Sequence, residues 1–414
     1  MNVNITSEIG KLNSVIIHTP GKEVENMTPE SAERALYSDI LNLSVALKEY
    51  AEFKKVLEQT TKVFEVKDLL KSVLQNGEAK SYLLKHVCRY EKTEDIKNML
   101  ESLPNDELAK QLIEGVPILK NNLTAFLSRE RYSLQPLHNL FFTRDSSMGL
   151  YGNLLVGKLA SRVREREAMI MDTIFKFHPK LKNQSINPFY DDKAEKITIE
   201  GGDVIVARED IVLIGIGNRT TTHGVDFVIN HFKKSGKRKN IIVQELPNSL
   251  ESFIHLDMVF TFLDHDKCMV YAPVIFKHYH LRTVHIVIDN GEVKSISEVP
   301  NILEILKTLG IDLKPIHCGG NTDEWTQERE QWHSGANFFA LAPGKIMGYA
   351  RNVYTIEELN KNGFEIIKAS EFDSSKFNMN DEKKIVITIE GDELARGGGG
   401  CRCMTMPLNR ETAF

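Results

Sequence analysis

The residues best suited to bond-making lie near the C-terminus. There Arg396 and four glycines, Gly397 to Gly400, lead into Cys401, Arg402, Cys403, Met404, Thr405, Met406 and Pro407. Consecutive glycines cost backbone entropy and belong where a chain turns tightly or passes close to another group. A cysteine beside Arg402 has a positive charge next to its sulfur, which favours the nucleophilic thiolate. The stretch reads either as an activated nucleophile on a bendable loop or as a flexible tail carrying two inert thiols. One residue separates Cys401 from Cys403, so the pair is neither a CxxC redox motif nor half of a zinc knuckle.

Four other stretches place polar groups beside predicted strand ends: Asn139 to Asp145, Glu200-Gly201-Gly202-Asp203, Gly217 to Thr220, and His255-Leu256-Asp257. On a strand, His255 and Asp257 share one face. A histidine with a carboxylate beside it, among Phe253, Ile254, Met258 and Val259, suits general acid–base work better than a lone one. The same pair with Glu200 and Asp203 could instead hold a divalent metal, although no HExxH or similar spacing supports that. Asp145 either pairs locally with Arg144 or joins Asp257 and Glu200 around a cationic substrate group, because acidic side chains are seldom buried unpaired. A guanidinium fits such a site: it is planar and meets carboxylates two hydrogen bonds at a time. Arg164 and Arg219 are either surface arginines or bidentate holders of a substrate carboxylate. A ligand with a guanidinium at one end and a carboxylate at the other is arginine.

These residues need a frame. Leu12 to His18 predicts a buried strand, Asp39 to Glu58 an amphipathic helix, and Lys62 to Val66 a second strand. From Lys67 to Ser133 the texture changes to Leu, Lys and Glu with helical spacing over 69–74, 78–90, 93–103 and 106–114, punctuated by Pro104 and Pro117. This predicts a helical domain over 67–133 inserted into an α/β domain made of 1–66 and 134–414. After Pro136 strands return at 153–159, 196–199, 204–207, 211–216 and 240–244, with helices at 165–177 and 225–233. The block 337–368 repeats the order, and 257–272 looks like the front half of another copy. A unit of strand, turn, strand, helix and strand, repeated about five times, predicts closure into a ring whose axis gathers loops from every copy.

Composition narrows the function classes. The chain has 414 residues, 42% apolar and 26% charged, with a net charge of −5. These values are ordinary for a globular protein, and no basic stripe marks a nucleic-acid partner. No apolar run approaches the roughly 20 residues that span a bilayer, and the polar N-terminus is not a signal peptide. Five cysteines without framework spacing suit a reducing cytoplasm.

Several stretches together resemble bacterial arginine deiminases, of the guanidino-group modifying superfamily, over essentially the whole chain. They are Ser7 to Leu12, Pro20 to Glu23, Phe142 to Asp145, Arg164 with Glu167, Glu200 to Asp203, Gly217 with Arg219-Thr220, His255 to Asp257, and Arg402-Cys403-Met404. The resemblance implies a five-bladed α/β propeller with an attached helical bundle, hydrolysis of L-arginine to L-citrulline, no cofactor or metal, and a homodimer or homotetramer. It makes Cys403 the nucleophile, His255 the acid–base and Glu200 its orienting partner, with Asp145 and Asp257 on the guanidinium. Asn139, Arg164 and Arg219 would hold the amino-acid end, with Phe142, Met27 and Gly397 also at the substrate. Residues 26–28 resemble a lid. The chain departs from many relatives at Gly398, where an arginine is common, at Asn218 in place of Glu, and at His138 in place of Pro. The rival readings are another guanidine hydrolase or an amidinotransferase, and a non-catalytic arginine binder.

Overall fold

Apolar strands such as Ile211–Ile216 and Ile385–Ile389 are buried along almost their whole length, so they read as continuous runs rather than alternating ones. The computed structural model describes residues 2–34, 37, 39–181, 183–247, 253–277 and 281–414. Among these, five sheets are built on one plan: an antiparallel pair of strands, then a helical crossover to a strand parallel to the second. The first contains Leu12–Ile17, antiparallel to Met406–Arg410 and parallel to Lys62–Glu65 across the helix Leu43–Thr60. The chain's two ends are thereby stitched into one sheet.

The second sheet pairs Ser147–Leu150 with Asn153–Val156 and returns through the helix Glu165–Phe177 to Ser185–Ile186. The third pairs Val204–Arg208 with Ile211–Ile216 and returns through Thr222–Ser235 to Lys239–Glu245. The fourth pairs Phe260–Asp264 with Lys267–Val270 and adds Lys314–His317. The fifth pairs Phe339–Ala342 with Lys345–Tyr349, which then pairs with Ile385–Ile389, leaving Glu365–Lys368 outermost. Thus the front-half copy recognised at 257–272 is completed by a parallel strand more than forty residues on.

That gap contains an unexpected hairpin. Thr283–Asp289 and Glu292–Val299 meet at Asn290-Gly291, both at positive φ (50° and 77°). An Asn-Gly pair in that conformation is a preferred two-residue hairpin turn. The hairpin adds to the third sheet beside Lys239–Glu245, extending it to five strands.

The helices Val66–Val73, Gly77–Glu91, Lys97–Ser102 and Asn105–Glu114 follow the predicted pattern. Leu70, Leu83, Leu84, Val87, Leu100, Leu108 and Leu112 form their core, which is continuous with Ala168, Ile170, Met171 and Ile174 of Glu165–Phe177. Among the described residues, no helix is long and apolar enough to cross a membrane.

Two predicted strands change. Residues 194–196 form a 3-10 turn, and Ile199 makes a single bridge to Lys158. The segment expected to be a strand from 257 begins as a 3-10 turn, Leu256–Met258, with the strand starting only at Phe260. His255 and Asp257 therefore do not share a strand face.

Candidate active site

The glycines of the cysteine loop answer to close contacts. A Cβ on Gly399 would lie 2.5 Å from Phe142, and one on Gly400 2.6 Å from Asn337. Gly398 follows the 3-10 turn Leu394–Gly397 at φ 82°, the left-handed region that favours glycine. The loop is anchored rather than free. The Tyr349 hydroxyl donates to the Gly399 carbonyl at 2.9 Å. Asn337 Oδ1 accepts the backbone N–H groups of Arg402 (3.0 Å) and Cys403 (3.3 Å), while its Nδ2 donates to the Asp257 carbonyl at 3.0 Å. One buried amide thus registers the cysteine against Asp257. Nothing in the sequence distinguishes an asparagine before a strand as such a clamp, and the sequence reading missed it.

Arg402 does not activate the sulfur as its neighbouring position suggests. Its guanidinium forks onto Glu8 (Nε 3.1 Å, Nη2 3.0 Å) and donates from Nη1 to Asp257 Oδ2 at 2.7 Å. The Cys403 sulfur lies 3.8 Å from that same Oδ2. Burial, then Asp257 and Asp145, push the Cys403 thiol well above the ordinary thiol range, and Arg402 counters only weakly. Carboxylates, not a cation, dominate the field at the sulfur. Glu8 resists its own burial: Arg402 and Arg144 hold its carboxyl at about 2. Cys401, also buried, is raised by burial alone.

Beyond the sulfur runs a chain of charge. His255 Nε2 lies 2.8 Å from Glu200 Oε2, and its Nδ1 lies 3.8 Å from Asp145 Oδ1. Burial works to lower the imidazole pKa; Asp145, the Glu200 hydrogen bond and Asp203 outweigh it and hold His255 at about 9. For Glu200, burial is outweighed by the His255 hydrogen bond and Arg219, leaving the carboxyl at about 2. Asp203 accepts the Leu256 N–H at 2.9 Å, and burial raises it to about 7. The paired glycines also make sense here: a Cβ on Gly202 would strike the His255 ring at 2.6 Å, and one on Gly201 the Arg144 carbonyl at 2.0 Å.

Asp145 is not paired with Arg144, which instead donates to the Arg402 carbonyl (3.3 Å) and to Thr405 (3.1 Å). Its partner is Arg164, at 3.0 Å, which also forks onto Glu167 at 3.1 and 3.0 Å. Arg219 lies 3.8 Å from Glu200 and its Nη1 is buried without a hydrogen-bond partner; so is Asp257 Oδ1. An unsatisfied donor and an unsatisfied acceptor therefore flank the cluster. The metal grouping weighed from sequence changes too. Among the described residues, ligand-type atoms converge at Asp145, Glu200 and His255, with Arg164 already among them, while Asp257 is engaged by Arg402.

The remaining candidates close the site. Met27, Phe142 and Cys403 belong to one apolar cluster, and Gly397 packs near Phe142. Asn139 lines, with Arg164 and Glu167, a cavity of about 20 Å³ leading toward Ser31 and Arg34. A larger cavity of about 400 Å³, bounded by Tyr82, Tyr90 and Phe189, touches none of the residues singled out from the sequence. Cys403 and His255 are only 4% and 3% exposed, so this is a closed arrangement.

A family model described as arginine deiminase matches residues 33–410. The chain belongs to the arginine deiminase family. A protein named arginine deiminase from Mycoplasma capricolum is 33% identical over 421 residues, covering 99% of this chain and 97% of its own length. One of the same name from Listeria monocytogenes is 33% identical over 427 residues, covering 99% and 98%. Among solved structures, the amidinotransferase SxtG from Microseira wollei is similar at TM-score 0.54 and 14% identity, covering 100% of this chain and 99% of that one. The N-terminal domain of ArgZ, an arginine dihydrolase, is similar at TM-score 0.53 and 11% identity, covering 96% and 98%. These likenesses establish a shared mixed α/β fold, and family membership accounts for the order of the motifs along the chain.

Proposed function

We propose that this chain hydrolyses L-arginine to L-citrulline and ammonia, with Cys403 as nucleophile and His255 as general acid and base. The observation that carries the assignment of roles is the position of Asp257. One oxygen touches the Cys403 sulfur and Arg402, while the other is buried with no partner. A guanidinium held there and by Asp145 places its central carbon beside the sulfur.

Arrival of that cation reverses the local field. It supplies the positive charge that two carboxylates otherwise deny the thiol, and the thiol proton passes to bulk water, to be returned to the sulfur when citrulline sheds its extra proton at the end of the cycle. The thiolate attacks the guanidinium carbon. His255, protonated at neutral pH because its pKa is held at about 9, gives its proton to the departing nitrogen, and ammonia leaves. A covalent amidino-cysteine remains. Neutral His255 then takes a proton from water, the resulting hydroxide attacks the amidino carbon, the C–S bond breaks and citrulline departs. Glu200 keeps the imidazole oriented through both halves. Holding sulfur, carbon and imidazole in line contributes on the order of 7 kcal/mol or more. The chemistry uses charges already on the chain and calls for no cofactor.

The same proposal gives Asn139, Arg164 and Arg219 the substrate's amino and carboxylate groups, with Met27, Phe142 and Gly397 against its methylene chain. Five sheets of one plan support closure into a five-bladed propeller, with 67–133 as an inserted helical domain. A location in the cytoplasm fits the free thiols of all five cysteines, and the proposal retains the homodimer or homotetramer that the resemblance implies.

The deciding experiment is citrulline formation together with mass spectrometry after rapid quench with arginine. Wild-type protein forms citrulline and carries an adduct on Cys403. Cys403→Ala loses both, and Cys401→Ala keeps both. An inactive Cys401→Ala with an active Cys403→Ala overturns the assignment.

A further inference from the structure

The hairpin that extends the third sheet leaves a long strand with nothing beside it. Glu292–Val299 is the terminal strand of that sheet, and no described strand pairs with its outer edge. Residues 292–298 are all exposed, and Ile296 is 65% exposed although it sits directly opposite the buried Ile286. An uncovered edge presents a row of unpaired N–H and C=O groups and normally carries proline or repelling charge to prevent pairing. This edge contains no proline; Pro300 comes only after its end.

Its sequence is two-fold complementary about Ile296. Reading outward, Ser295 answers Ser297, Lys294 answers Glu298, and Val293 answers Val299. Antiparallel pairing of two identical strands about that residue sets Ile296 against Ile296, serine against serine, and Lys294 against Glu298 on both sides of the axis. The edge charges, which repel where Glu292 meets Glu298 or a charge meets its own copy, here become two cross-strand ion pairs. A register shift against the inner strand falls at Lys294, where Ser295 pairs with Val287 but Val293 pairs with Ile288. The bulge twists the strand there, so regular pairing with the inner strand runs from Ser295 to Val299, with the bulged Lys294 at its margin. Within one chain Lys294 bonds Glu292 at 2.7 Å, but both side chains are solvent-exposed and free to exchange partners.

We propose that Glu292–Val299 docks a second copy of this chain, antiparallel about a two-fold axis at Ile296, joining two five-stranded sheets into one. Such an interface is isologous, the same patch on both subunits. It also covers the exposed Ile296 side chains with each other.

The test is sedimentation of the full-length protein from about 1 to 100 µM, the range where a small interface is populated. Wild type self-associates. Lys294→Glu and Glu298→Lys each set like charges opposite one another twice, raising the dissociation constant about tenfold or more, or halving the mass of a larger assembly. The double variant Lys294→Glu with Glu298→Lys restores the pairs and the association. Thermal melting at low concentration stays at the wild-type value in all three, separating interface from fold. A wild type that remains monomeric, an assembly indifferent to both single reversals, or a double variant no better than the singles overturns the proposal. Citrulline formation is read in parallel, so failure of the interface and failure of the proposed reaction are distinguishable.

Discussion

The two carboxylates proposed to grip the guanidinium are held in different ways. Asp257 is fixed from behind: Arg402 binds it at 2.7 Å, Glu8 holds Arg402 in a fork, and Asn337 holds the Asp257 backbone. None of those partners is proposed to meet substrate. Asp145 is held at 3.0 Å by Arg164, a residue also proposed to receive the substrate carboxylate. One side of the site is thus pre-built, whereas the other borrows a substrate-binding group until substrate arrives. A pre-built partner contributes stability whether or not arginine is bound; a borrowed one couples binding to rearrangement.

The largest effect should come from breaking the fixed side. Arg402→Met leaves Glu8 and Asp257 buried without their cation. It should cost about 3–5 kcal/mol of stability, seen in denaturant unfolding, and should abolish turnover. Saturating arginine should not restore the loss, because Glu8 gains no new partner. On the borrowed side, Arg164→Gln should raise KM for arginine by about 100-fold, equivalent to roughly 2.7 kcal/mol, with a smaller fall in kcat. Steady-state kinetics with arginine and agmatine sharpen the point, since agmatine has no carboxylate and should show the smaller change.

The pH dependence probes the charge chain between the two sides. His255 has a folded pKa of about 9 against an ordinary 6.5. Its contribution to stability is therefore complete below about 6.5 and is lost as pH rises through 9. Because the proposed reaction needs it protonated, kcat/KM should fall above pH 9. Glu200→Gln, which removes one of the acceptors holding that proton, should move the alkaline limb downward by about one unit. The smallest effect is expected at Gly398. An added Cβ meets open space there but must adopt φ 82°, so Gly398→Ala should cost about 1 kcal/mol. Thermal melting measures that cost, and an unchanged melting temperature would show that the loop relaxes out of the left-handed region.

Much of this was legible in the residues themselves. Helix Glu165–Phe177 and strands Ile211–Ile216 and Lys239–Glu245 fall where apolar patterning puts them, because each is long and strongly patterned. The hairpin at Asn290-Gly291 was equally written in the chain and overlooked, its outer strand being too polar to register as sheet. Partnerships were the hidden part. Arg402 sits next to Cys403 in sequence but answers to Glu8, 394 residues away. At Asp145, adjacency offered Arg144 as one of two readings, and the partner is Arg164. Charge pairing in a buried site is set by which loops the sheets bring together, and that information lies in topology, not in spacing.

Asn337 hangs two moving parts of a machine from one hook. Because its amide grips both the backbone entering Cys403 and the carbonyl of Asp257, any breathing between neighbouring sheets carries sulfur and carboxylate along together. The distance that matters for attack is thereby insulated from distortions that would separate two independently mounted groups. If arginine enters as proposed, this half of the site keeps its aim while the arrangement around it opens and closes.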